Sequence, residues 1–107
     1  MEFNWNIKPN TQLLEAIVSL ENTDEAKRFL RDLMTEGEIE EFGKRLEAAR
    51  LLSNNVQYNT IIKQTGLSST TIARIAKWLR GSLGGYNLIL TRIAHHHNSI
   101  QPRRGLS

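Results

Sequence analysis

At 107 residues the chain is long enough for one domain with a modest core and too short for two. Its 39% hydrophobic and 23% charged residues exclude wholesale disorder, and the lack of any cysteine excludes a disulfide framework and thiolate metal sites. The formal charge of +3 hides a division: residues 1–52 hold all 11 acids and 7 Lys/Arg, while residues 53–107 hold the other 7 Lys/Arg and no acid.

A balance of −4 followed by one of +7 predicts a polyanionic partner for the second half, since mixed signs are what solubility alone favours. No apolar run is long enough to span a membrane. The opening MEFNWNIKPN lacks the basic-then-apolar layout of a signal peptide, so the expected location is the cytoplasm.

In chain order, residues 1–9 read as an extended N-terminal arm, with Phe3, Trp5 and Ile7 alternating. The arm is expected to pack on the chain's own core or on a partner subunit. PNTQLLEAIVSLEN then places Leu13, Leu14, Ile17, Val18 and Leu20 at helical spacing behind a Pro-Asn-Thr start. In TDEAKRFLRDLM, Thr23 is the expected N-cap, and Asp24 and Glu25 favour the first turn. Ala26, Phe29, Leu30, Leu33 and Met34 form its expected core face. TEGEIEEFGKRLEAARLL opens on a capping box, Thr35 with Glu38, in which hydroxyl and carboxylate each satisfy an orphan amide. Its inward face is Ile39, Phe42, Leu46, Ala49 and Leu52, and SNN breaks it.

The next stretch, about residues 57–80, has helix–turn–helix grammar. A short helix around Tyr58–Thr65 buries Ile61 and Ile62, and Gly66 ends it in the left-handed conformation. Leu67 plugs the turn, and Ser68 or Ser69 caps a second helix whose inner face is Ile72, Ile75, Ala76 and Leu79. Ser68, Ser69, Thr70 and Ala73 are then placed to meet base edges in a major groove, because small and hydroxyl side chains permit close approach. Lys63, Arg74, Lys77 and Arg80 are placed for the flanking phosphates, which supply affinity without reading sequence. GSLGGY ends this segment, and a last helix, Tyr86–His97, packs back through Leu88, Ile89, Leu90 and Ile93. Trp78 is expected in the core or at a dimer interface. Residues 98–107 read as a disordered basic tail, leaving a single all-helical domain over 1–97.

Thr35 with GEIEEFGKRLEAARLL, the TTIAR of the second helix and the run KWLRGSLGGYNLIL resemble the Trp-repressor-like family, and its YerC/YecD-type branch more than the tryptophan repressor itself. The resemblance spans about residues 27–93. It implies an all-α fold of about six helices in an intertwined homodimer, with paired recognition helices in successive major grooves, and transcriptional regulation. It also implies an effector pocket, whose positions are Thr35, Arg45, Thr71 and Arg74 here. Two departures from the tryptophan-binding pattern matter. Ile75 stands where that pattern has glycine, and Trp78 where it has serine. Both are far larger, and a close-packed residue cannot share its volume with a ligand. L-tryptophan is therefore not the expected corepressor, and no cofactor is expected.

Other residues carry plainer readings. Arg45 on an otherwise acidic helix face is as well explained by a surface ion pair as by an effector. His95–His97 are adjacent on a helix and point about 100° apart, so they do not converge on one metal ion. Nothing supplies a catalytic constellation: there is no cysteine nucleophile, phosphate-cradling Gly-rich loop, HExxH or positioned acid pair. No enzyme is expected. Two functions remain: a dimeric, sequence-specific DNA-binding regulator, acting as a repressor, or a helical interaction module whose basic half binds an acidic protein.

Overall fold

The structure, a computed structural model, describes the backbone of residues 2–81 and 83–106 and the side chains of residues 2–81 and 83–95. Six helices follow one another with no strand among the described residues: α1 (Lys8–Ser19), α2 (Thr23–Leu33), α3 (Glu36–Ser53), α4 (Tyr58–Thr65), α5 (Ser69–Leu79) and α6 (Gly85–Leu106). This is the all-α architecture that the periodicity predicts. The chain divides into two compact units, residues 1–39 and 40–107.

Local chemistry sets the helix starts. α1 begins at Lys8, just inside the expected arm, with Pro9 in its first turn, where a missing N–H costs nothing. α2 is capped by Asn22 and not by Thr23: the Asn22 carboxamide oxygen accepts from the Glu25 amide at 2.9 Å. Glu25 in turn accepts from the Glu21 amide at 3.0 Å, so two orphan donors are satisfied one residue earlier than expected. The capping box of α3 is present in full. The Thr35 amide donates to Glu38 Oε1 at 2.9 Å, and the Glu38 amide donates to Thr35 Oγ1 at 3.1 Å. α3 ends in a Schellman motif, with Asn55 at φ 63° taking the position glycine usually holds. The Val56 amide donates to the Leu51 carbonyl and the Asn55 amide to the Leu52 carbonyl, both at 3.0 Å.

The core lies entirely in the C-terminal unit. Ala48, Ala49 and Leu51 of α3, Ile61 of α4, Leu67 of the turn, and Ile72 and Ile75 of α5 are buried together. Leu52, Val56, Ile62, Leu79, Tyr86 and Leu90 pack against them. Ala48 and Ala49 are fully buried, and the three isoleucines fill the space in the same cluster.

The N-terminal unit is different. Among its described residues none is buried, and Leu13, Leu14, Ile17, Val18, Leu30 and Leu33 are all exposed. Of the α1 and α2 stripes expected to be core, Leu20, Ala26, Phe29 and Met34 are half-buried and the rest are uncovered within one chain. Helices of 12 and 11 residues have too few facing side chains to enclose a core between themselves. On α6, Leu90 packs inward as expected, but Leu88, Ile89 and Ile93 stay exposed. α6 runs to Leu106, beyond the expected end at His97, and the side chains of the expected tail at 98–107 lie outside the described residues.

The turn at Gly66 has a testable signature. Its φ of 77° is a conformation that side chains other than Asn adopt only with strain. Gly66→Ala is expected to destabilise the fold by about 1–2 kcal/mol, and Gly66→Asn by less, in urea unfolding followed by far-ultraviolet circular dichroism. Equal losses for the two would show that the turn does not depend on the left-handed backbone.

Candidate nucleic-acid interface

α4, the turn and α5 are locked together by hydrogen bonds as well as by packing. Thr65 is buried, and its hydroxyl donates to the Ile61 carbonyl at 2.7 Å and accepts from the Leu67 amide at 3.2 Å. The Gly66 amide donates to the Ile62 carbonyl at 2.8 Å. Leu67 is buried beneath the turn, as its expected role as plug requires. Thr65 was not among the residues singled out by pattern. The signal was its place directly before the helix-ending glycine, where a hydroxyl can serve both sides of the turn.

Ser68, not Ser69, is the cap of α5. Its backbone is extended, and its side chain accepts from the Thr71 amide at 3.1 Å while donating to Thr71 Oγ1 at the same distance. That commitment leaves Ser69 and Thr70 as the exposed hydroxyls of the first turn. Because Ile72, Ile75 and Ala76 are buried, the opposite face of α5 presents Ser69, Thr70, Ala73, Arg74 and Lys77, with Arg80 at its C-terminal end, all exposed. Lys63 is exposed in the last turn of α4. All eight expected contact residues therefore lie exposed on the helix–turn–helix, with hydroxyls leading and cations following.

The ion pairs sharpen the electrostatic contrast. Arg28 pairs with Asp24, Arg31 with Glu36, Arg45 with Glu41 and Arg50 with Glu47, at 2.7–3.3 Å. In the last pair, the hydrogen bond from Arg50 holds the Glu47 carboxyl below the usual carboxylate range. Among the described residues Lys63, Arg74, Lys77 and Arg80 make no ion pair, as expected where no acid follows Glu47. Their charge is available to an outside polyanion.

The residues expected for an effector are engaged locally. Thr35 caps α3, Arg45 pairs with Glu41 at 3.2 Å with its guanidinium 5.5 Å from the Phe42 ring centroid, and Thr71 accepts from Ser68. Arg74 stands exposed one turn beyond Thr71. Ile75 is fully buried in the core. Trp78 is not a core residue: it is 48% exposed and forms one wall of an open cavity with Leu46, Leu83, Tyr86 and Ile89. The reason is angular, since Ile75 and Leu79 take the inward positions on either side of it in the helix. None of Thr35, Arg45, Thr71 and Arg74 lines this cavity.

Asn87 is a second residue that pattern reading missed. Its side-chain amide donates to the Leu79 carbonyl at 2.8 Å, occupying an orphan acceptor at the end of α5 and tying α6 to it. Across eight residues and a turn, no short motif announces that bond. Among the described residues no three His, Asp or Glu side chains cluster as a metal site, with His96 and His97 outside the described side chains. No helix in the described residues is long and apolar enough to cross a membrane.

Comparison with known proteins agrees with this arrangement. The sequence model of the Trp repressor protein family matches residues 9–94. An uncharacterized protein of Bacillus subtilis strain 168, YerC, is 38% identical over 82 residues, covering 77% of this chain and 79% of its own. A TrpR-like protein of Eubacterium eligens, known from its crystal structure, superposes with a TM-score of 0.77 at 34% identity, over 84% of this chain and 93% of that one. A candidate Trp repressor of Staphylococcus aureus gives a TM-score of 0.73, also at 34% identity, over 78% and 84%. With its helix–turn–helix, its six helices and this breadth of similarity, the chain belongs to the Trp repressor family, a family of DNA-binding regulators.

Proposed function

We propose that this protein is a sequence-specific transcriptional regulator, a repressor, that binds double-stranded DNA as a homodimer in the cytoplasm. The observation that carries the reading is the outer face of α5. It is acid-free, starts with exposed hydroxyls and continues into three exposed, unpaired cations, Arg74, Lys77 and Arg80. Ser69, Thr70 and Ala73 meet base edges, Ser68 being committed to the cap, while Lys63, Arg74, Lys77 and Arg80 grip phosphates. No catalytic step is assigned to any residue.

The dimer reading has separate support. A unit with no buried residue among those described, displaying Leu13, Leu14, Ile17, Val18, Leu30 and Leu33, gains a core only against another surface. A second copy brings the same stripes in a self-complementary arrangement. It also sets two α5 helices about one DNA turn apart.

L-tryptophan is not the corepressor in this reading. Ile75 is part of the closed core, and Thr35, Arg45 and Thr71 are held by partners of their own. Any effector that engages Thr35, Arg45, Thr71 and Arg74 has another shape.

Selection of bound duplexes from a random library, at physiological salt and without added ligand, is expected to recover a palindrome with half-sites about one helical turn apart. Arg74→Glu is expected to abolish retention of that duplex. Lys77→Ala is expected to weaken binding to all sequences alike and to reduce the salt slope by about one. A library that returns no motif, with or without amino acids added, would overturn the regulator reading in favour of an acidic protein partner. Adding L-tryptophan at millimolar concentration is expected to leave operator affinity unchanged in a fluorescence anisotropy titration. A tenfold tightening would restore it as corepressor. Sedimentation velocity at micromolar concentration is expected to show a dimer, and Ile17→Asp a shift to monomer.

A further inference from the structure

Two apolar features of this chain stand uncovered. The first is an aromatic knob on the N-terminal arm. Phe3 and Trp5 meet edge to face, ring centroids 4.8 Å apart and planes at 64°, yet remain 64% and 53% exposed. Side chains of α1 hold the arm in place: Thr11 Oγ1 donates to the Trp5 carbonyl at 3.1 Å, and Asn10 Nδ2 donates to the Asn4 carbonyl at 2.8 Å. The Asn6 amide adds a bond to Asn4 Oδ1 at 2.9 Å. Such bonds give a mount that is ordered before any partner arrives, which lowers the entropy lost on docking.

The second feature is the cavity beside the end of α5. It measures about 660 Å³, within the range of ligand-sized pockets, and its walls are Leu46, Trp78, Leu83, Tyr86 and Ile89, with Lys77 at the side. Burial there pushes the Tyr86 phenol up, so the ring is neutral at physiological pH and the cavity's charge comes from Lys77 alone among its lining residues.

We infer that Phe3 and Trp5 of one chain seat in the Trp78–Tyr86 cavity of a second copy, so that the site is complete only in the dimer. The inference rests on the homodimer reading and goes beyond it by naming the contact. Knob and hole match in chemistry, aromatic pair to aromatic wall. They also match in charge: the arm carries Glu2 beside Phe3 and no cation before Lys8, while the cavity is lined by Lys77 and no acid. They match in number, since each chain supplies one knob and one hole, as a closed two-fold pair requires. The cavity is built partly from the last turn of α5 and the link to α6, so a seated arm braces the end of the DNA-reading helix.

The chain has no cysteine, so introduced ones report cleanly. Full-length copies carrying Phe3→Cys and Leu83→Cys, with tags of different size, are co-expressed and mildly oxidised. A disulfide-linked pair of unequal subunits is the expected product on a non-reducing gel, with the pair Ser19→Cys and Leu83→Cys as the unlinked control. Sedimentation of the unoxidised sample, run first, separates two failures. A monomer would overturn the dimer reading itself. A dimer without the mixed disulfide, or one that links only within a chain carrying both cysteines, would overturn the knob-and-hole contact alone. A second readout needs no cross-link. In Trp5→Phe the sole tryptophan is Trp78, and its acrylamide quenching is expected to rise at least threefold when Phe3→Ala and Phe at position 5→Ala are added. Unchanged quenching in a sample that remains dimeric would overturn the contact.

Discussion

The fully buried trio Ile61, Ile72 and Ile75 is the contact on which the rest of the molecule depends. A helix has only one way to bury residues 72, 75 and 76, and that choice turns Ser69, Thr70, Ala73, Arg74 and Lys77 to the outside. The turn above the trio is arranged to keep it closed. Gly66 supplies the left-handed step, Leu67 fills the space below it, and the Thr65 hydroxyl satisfies the polar groups the turn would otherwise strand in the core. Removing about three methylenes from Ile75 would cost several kcal/mol and loosen the presentation of α5 at the same time. Stability and recognition are thus coupled through one set of side chains.

Charge is distributed to suit that presentation. Each ion pair resolved in the structure uses an acid at or before Glu47, and each lies on α2, α3 or their junction. These exposed pairs contribute little to stability individually. Their larger consequence is that four of the N-terminal acids hold local cations, while Lys63, Arg74, Lys77 and Arg80 pair with no acid among the described residues. In the proposed reading, an acid on the outer face of α5 would neutralise a phosphate contact and repel the nucleic-acid backbone.

The N-terminal unit follows another logic. Its helices are well formed by local rules, with an Asn22 cap, a Pro9 start and a Thr35–Glu38 box, yet they enclose nothing. Local capping sets where a helix begins; burial needs a second apolar surface, and one chain does not provide it here. The exposed aromatics of the arm and the open cavity at Trp78 are two more unclosed surfaces of the same kind. All three lie outside the small core that this chain builds for itself.

What the amino-acid sequence determined by itself was whatever depends on neighbours within about one helical turn. The capping box, the Gly66 stop, a serine cap on α5, the inner face of that helix and the absence of acids after Glu47 are all of this type, because their partners lie at fixed short spacing. The cap expected at Thr23 falls instead on Asn22, whose carboxamide reaches the Glu25 amide. Tertiary structure alone decided the fate of the apolar stripes. Leu13, Ile17 and Leu33 have the same helical spacing as Ile72 and Ile75, and only the latter find side chains from other helices to cover them. It also decided that Trp78 lines a cavity and that Asn87 holds the end of α5, because burial and long-range hydrogen bonds are sums over distant segments that no local pattern contains.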